Sequence, residues 1–313
     1  MRLKRLFKNK ILCLCVICIG LFSIFSIYLL TLNNNDTTLP TFSPTINNSV
    51  INEDLDGNGS KDALYIKTDD KNYLIQINLN GENSLSLNPS KEFSTLGEHK
   101  TYWPMRITIA DVSRNNTKEL FTQCSIGENP LQSIFIFKDG SYENVFSKEN
   151  NILGLIDNSN NKTPKIISGK FSSGYMDLHS YIVSNNSLKE FPYLYKKNYI
   201  GDIIVCDFIN LIQSFPYDSL QIPNYFSPTL DDSSITNIYT VANNNLNYIF
   251  QDCFFKDITY DEKGLPKDVS WTLNFKGIDS NSPKKIRNFT FDIIVTRLND
   301  SFDYKITSLD LSY

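Results

Sequence analysis

The chain is poor in the residues that usually carry chemistry. It has only two histidines, His99 and His179, in unrelated contexts, and it has no H-E-x-x-H, G-x-S-x-G or phosphate-binding glycine loop. Those absences remove the commonest sequence signatures of metalloproteases, serine hydrolases and nucleotide-binding enzymes. Ser282 and Lys285 have Ser-x-x-Lys spacing, but they flank a Pro-containing turn, and chance accounts for the match. The expectation is a protein that is not an enzyme. The alternative is an envelope hydrolase whose site is assembled in the C-terminal region from carboxylates distant in sequence.

Cysteine pairs with metal or redox spacing are also missing. Of six cysteines, Cys13, Cys15 and Cys18 fall in one apolar run, leaving Cys124, Cys206 and Cys253 with no C-x-x-C pattern. Three buried free thiols are expected, with a single Cys206–Cys253 disulfide as the alternative. Positive charge is scarce beyond the first ten residues. The chain has 30 Lys and Arg against 34 Asp and Glu; removing Arg2, Lys4, Arg5, Lys8 and Lys10 leaves 25 against 34, a net charge of −9. This argues against nucleic acid or anionic lipid as a partner of that part and suits a divalent cation or a cationic wall component.

The strongest positive signal is the N-terminus. A basic stub at residues 1–10 precedes residues 11–32, "ILCLCVICIGLFSIFSIYLLTL", which carry no charge. As a helix this run would rise about 33 Å, enough to cross a hydrocarbon core of roughly 30 Å. The basic flank should stay in the cytoplasm. A cleaved secretory signal would have a shorter apolar core and a small-x-small site, and "YLLTLNNND" has none. A lipoprotein signal would need a small residue before the lipidated Cys, whereas Leu12, Leu14 and Ile17 occupy those places. The expectation is therefore an uncleaved, single-pass transmembrane anchor with the C-terminus extracellular, on a bacterial cell membrane.

Residues 33–49, rich in Thr, Pro and Asn, read as a polar stalk. Residues 50–198 show short alternating runs such as "DALYIKT", "MRITIADV", "QSIFIF" and "PKIISGKF" separated by turn clusters, the pattern of antiparallel sheet. Aromatics make up 13% of the chain, which favours sheet over helix bundle. Near residue 199 the texture changes. "YIGDIIVCDFINLIQSF" has an apolar face at helical spacing after Gly201-Asp202, and "LNYIFQDCFFKDI" is read as a second helix. "VSWTLNFKGI", "RNFTFDIIVTRL" and "FDYKITSLDLSY" then read as strands, giving a small α+β domain over 199–313. Trp271, alternating with Leu273 and Phe275, is assigned to the core. Tyr102 and Trp103, just before a strand, are assigned to core or sheet-edge cover, with sugar or peptide binding as the alternative.

One motif recurs. Asp54-x-Asp56-x-Asn58-Gly-x-x-Asp62 precedes "ALYI", Asp111-x-Ser113-x-Asn115-Asn-x-x-Glu119 precedes "LFTQ", and Asp157-x-Ser159-x-Asn161-x-x-x-Lys165 precedes "IISG". The starts are 57 and 46 residues apart, a period suited to small four-stranded units. In the first loop, Asp54, Asp56 and Asn58 alternate as three oxygen ligands, the Ser60 carbonyl adds a fourth, Asp62 closes the shell and Gly59 supplies the turn. Tyr65 at position twelve excludes an EF-hand. The competing reading is a metal-free Asx turn. The second loop, Asp111, Ser113, Asn115 and Glu119, is a weaker cation site. Lys165 should leave the third as a turn alone.

Over residues 50–190 these loops and strands resemble the FG-GAP or VCBS repeat family. That resemblance implies β-propeller-like blades and a structural calcium ion (Ca2+) held by the first loop. Closed propellers have about four blades or more, so three repeats imply a partial or open β-domain, or a small propeller with one further blade that the sequence does not mark. The helix-then-meander order at the C-terminus resembles the cone-shaped domains related to nuclear transport factor 2. Together these readings give an envelope-anchored extracellular binding or scaffolding protein whose partner is an envelope polymer or protein.

Overall fold

The computed structural model describes residues 41–42, 50–81, 83–157, 164–192, 198–216, 221–298 and 303–313. The expected stub and anchor, the stalk but for Thr41 and Phe42, and Ser159 and Asn161 lie outside the described residues. Among the described residues, no helix is long and apolar enough to cross a membrane.

Three antiparallel four-stranded units follow one another. The first has β2 (Val50–Glu53), β3 (Asp62–Thr68), β4 (Tyr73–Leu79) and β5 (Asn83–Ser86) in sequence order. The second has β6 (Arg106–Ala110), β7 (Glu119–Ile126), β8 (Asn129–Lys138) and β9 (Ser141–Lys148), with the short β1 (Thr41–Phe42) added beside β6. The third has β10 (Ile152–Ile156), β11 (Lys165–Ser172), β12 (Tyr175–Val183) and β13 (Leu188–Glu190). In each unit the ninth residue of the sequence motif opens the second strand: Asp62, Glu119 and Lys165. The repeat seen in sequence is thus a repeat of structure.

Strand patterning places the units. β3 and β4 alternate buried and less buried residues, so the first unit buries one face. Its other face carries a satisfied polar chain. Lys67 donates to Gln76 at 2.7 Å, and the Gln76 amide donates to Asn78 at 3.1 Å and to Ser84 at 2.7 Å. β7, in contrast, is buried along nearly its whole length, because both faces of the second unit are covered. Leu64, Ile75 and Ile77 of the first unit share a core with Ile107, Leu120 and Phe135 of the second.

The third unit does not stand alone. β10 pairs in parallel with β14 (Leu246–Tyr260), from Ile152↔Cys253 to Leu155↔Lys256. β14, β15 (Pro266–Asp279), β16 (Ile286–Arg297) and β17 (Tyr304–Ser312) form an antiparallel meander, so one eight-stranded sheet runs across the expected boundary at 198/199. Gly154 makes this join close, since a Cβ there would lie 2.1 Å from the Phe255 ring. Among the described residues the units do not close into a propeller.

Two helices lie against this meander. α1 (Asp202–Gln213) sits within the stretch read as helical and buries Val205, Phe208, Ile209 and Ile212. Gly201 precedes it at φ 75° with no side-chain cap. α2 (Asp232–Asn243) was not anticipated; its N-cap, Asp231, accepts the Ser234 N–H at 2.7 Å. The expected helix at "LNYIFQDCFFKDI" is instead β14. Its first residues alternate, with Leu246, Tyr248 and Phe250 buried and Asn247 and Ile249 exposed, and its aromatics fit the pleated surface better than a helix face. Trp271 is fully buried and stacks on Phe255 with ring centroids 4.2 Å apart, as its place in the core requires. Cys124, Cys206 and Cys253 are all free and buried. Burial pushes the Cys206 thiol up to about 12.

Candidate metal centre

The first loop folds around its own carboxylates. Asp54 Oδ1 accepts the N–H groups of Gly57 (2.9 Å) and Asn58 (3.1 Å), and its Oδ2 accepts that of Gly59 (2.9 Å). Asp56 Oδ1 accepts the Asn58 N–H at 3.1 Å. Asp62 enters from the start of β3 and is 1% exposed; its Oδ2 accepts the Leu55 N–H (2.8 Å) and its Oδ1 that of Asn80 (3.0 Å). Gly59 takes φ 87°, the left-handed conformation its place in the turn requires.

These bonds bring one oxygen each of Asp54, Asp56 and Asp62 within 4.8 Å of one another. Oxygens on opposite sides of one calcium ion stand about 4.6–5.2 Å apart, from ligand distances of 2.3–2.6 Å. The spacing therefore fits a single cation. Among the described residues, no Lys or Arg forms an ion pair with any of the three. Like charges at this spacing repel one another, and a bound cation would relieve that repulsion. Asn58 is not drawn in as fully. Its Oδ1 accepts the Ser60 N–H at 2.7 Å and its amide donates to Asn80 at 3.0 Å, while Ser60 sits on the exposed limb.

The second loop copies the first nearly bond for bond. Asp111 accepts the N–H groups of Asn115 (3.2 Å) and Asn116 (3.1 Å), as Asp54 accepts those of Asn58 and Gly59. Asn115 Oδ1 accepts the Thr117 N–H at 2.9 Å, as Asn58 does for Ser60. Glu119 Oε2 accepts the Val112 N–H at 2.8 Å, the counterpart of Asp62 and Leu55. Left-handed residues recur at matched places, Gly57 with Arg114 and Gly59 with Asn116. The difference lies in charge. Only Asp111 and Glu119 are acidic, and burial pushes the fully buried Glu119 carboxyl above its ordinary range. Its hydrogen bonds with Ser113 and Val112 pull against that rise.

The third loop replaces the closing acid with Lys165, which is buried. Burial pulls its ammonium down, while the charges of Asp157 and Asp257 push it up. Asp257 comes from β14, and its Oδ2 accepts the Asp157 N–H at 2.6 Å. Burial raises Asp257 to about 6, against the pull of its hydrogen bonds from Tyr260 and Asp157. An internal cation thus stands where the first loop has only acids.

Tyr142 matters although the sequence does not single it out. Tyr142, on β9, donates toward the carbonyls of Leu55 (3.2 Å) and Lys118 (3.1 Å). Trp103 is buried; its indole N–H donates to Asp252 Oδ2 at 2.5 Å, so it serves the core and not an exposed ligand surface. Asp252 Oδ1 also accepts from Arg106 (3.1 Å) and Asn274 (3.0 Å). The histidines stay apart. His99 packs edge-on to Tyr73, and His179 lies on β12 beside Glu190. No family model, curated protein or solved structure matches the chain.

Proposed function

We propose that this chain is an envelope-anchored extracellular binding or scaffolding protein whose first repeat unit holds one structural calcium ion. The observation that carries the ion is the convergence of Asp54, Asp56 and Asp62, none of which forms an ion pair with a Lys or Arg among the described residues. The anchor rests on the uncharged run at 11–32 and its basic flank. The three four-stranded units keep the FG-GAP or VCBS resemblance as the reading of 50–198. Two helices against a four-stranded meander keep the nuclear transport factor 2-like reading of 199–313. A nucleic-acid partner is disfavoured by the acidic charge; an envelope polymer or protein suits it.

The ion's role is to fix a turn. A small four-stranded unit buries little apolar surface, and an ion bound only in the folded state adds stability by mass action. At ten times its dissociation constant the gain is about 1.4 kcal/mol. Millimolar calcium should therefore raise the melting temperature of the full-length chain in mild detergent, and magnesium should do so less. Asp56→Asn is the clean probe, because an amide oxygen can still accept the Asn58 N–H while the charge is gone. It should remove most of the rise; equal calcium shifts in wild type and variant would defeat the assignment. Topology has a separate test. Protease added to intact cells should degrade residues beyond the anchor and leave a small membrane-bound fragment. A mature form starting near residue 33 in the medium would overturn the anchor.

A further inference from the structure

The loops of the first two units touch. The Lys118 N–H donates to the Leu55 carbonyl at 3.0 Å. Gly57 lies so close that a Cβ there would meet the Asn116 carbonyl oxygen at 2.8 Å. Tyr142 closes the junction, its hydroxyl reaching the Leu55 carbonyl in one loop and the Lys118 carbonyl in the other. Leu55 sits between Asp54 and Asp56, and Lys118 immediately precedes Glu119. The charges of Glu119, Asp62, Asp56 and Asp54 all act on this phenol and, after burial, hold it well above its ordinary range. Glu119, next in the chain to Lys118, is fully buried.

We propose that the two loops form a cation-controlled clasp between the first and second repeat units, with Tyr142 as its pin. The proposal rests on the calcium reading of the first loop. A cation at Asp54, Asp56 and Asp62 fixes the backbone around Leu55. Through Tyr142 and the Lys118 N–H, a fixed Leu55 carbonyl holds the end of the second loop. Filling one loop thus steadies both.

Hydrogen exchange of the full-length chain in detergent, with and without calcium chloride, tests this. At ten times the dissociation constant, calcium should slow ion-linked exchange about tenfold in peptides covering 54–62 and also in those covering 111–119. Tyr142→Phe keeps the ring and removes both hydrogen bonds. It should retain the slowing in 54–62 and lose most of it in 111–119. Asp56→Asn should lose it in both. If calcium protects 54–62 alone in the wild type, the clasp is wrong and the ion site stands. If calcium still protects 111–119 in Asp56→Asn, the second loop binds its own ion and the clasp is again wrong. Unchanged protection of 111–119 in Tyr142→Phe removes Tyr142 from the role. Protection of neither segment in the wild type overturns the ion site and the clasp together.

Discussion

Asp62 holds two backbone N–H groups, from Leu55 and Asn80, one on each carboxylate oxygen. That double duty makes it a turn residue whether or not an ion is present. Asp62→Ala would strand both donors, and the loss of a buried charged acceptor costs about 2–4 kcal/mol. The expected outcome in denaturant unfolding is a loss of this size in calcium-free buffer, with little further dependence on calcium. A variant as stable as wild type without calcium would show that the hydrogen bonds carry no weight. Asp54 is similarly committed, through three N–H groups. Asp56 accepts one, which is why the charge of the site is best probed there. Such a loop reads well from sequence because its bonds join residues a few positions apart. Tyr142 could not be read that way: it meets Leu55 across 87 positions, and nothing local marks it.

At the scale of elements, legibility followed the clarity of the period. The strands of the first three units alternate or run apolar between clear turn clusters, and the structure has strands in those places. The first helix shows its buried face at helical spacing and was found where expected. β14 reads as a helix in sequence because Tyr248, Phe250, Cys253, Phe254 and Phe255 satisfy either period over a short window. What decides is tertiary. β14 lies between β10 and β15, and hydrogen-bonded neighbours on both sides fix it as a central strand. The start of α2 is marked in the sequence, although its periodicity is weak. Asp231-Asp232-Ser233-Ser234 is a capping sequence, followed by Ile235, Ile238, Val241 and Ala242 on one face. Its hydrophobicity is diluted by Thr236, Asn237 and Thr240, so periodicity alone gave a weak signal. The three Asp loops diverge in a physically ordered way, from three acids, to two, to an acid and a lysine. Their backbone survives in the second loop because hydrogen bonds, and not an ion alone, define it.

At the scale of the molecule, the described residues form two hydrophobic cores joined by a seam that is partly polar. The first two units share one core, and the helices with the C-terminal meander share the other. Between them Asp252, 2% exposed, accepts from Arg106, Trp103 and Asn274. Gln123 adds a bond to the Cys253 carbonyl at 2.8 Å, and Gln251 one to the Tyr102 carbonyl at 2.9 Å. Asp252 sits at an irregularity in the β14–β15 register, between Phe250 and Asp252, which aims this part of the strand at the second unit. No periodicity announces such a contact, since its partners lie nearly 150 positions away in the chain. Removing one member of a buried ion pair leaves the other uncompensated and costs about 3–5 kcal/mol. Asp252→Ala should therefore destabilise the seam far more than either core. Its denaturant unfolding, followed by hydrogen exchange across the chain, should split into two transitions, with residues 50–148 separating from residues 151–313. The wild type should show one. Arg106→Met in the same background should recover part of the loss, because the stranded guanidinium is then gone as well. A single transition in Asp252→Ala, shifted by less than about 1 kcal/mol, would mean that apolar contacts between the second and third units hold the halves together and that the buried pair is incidental.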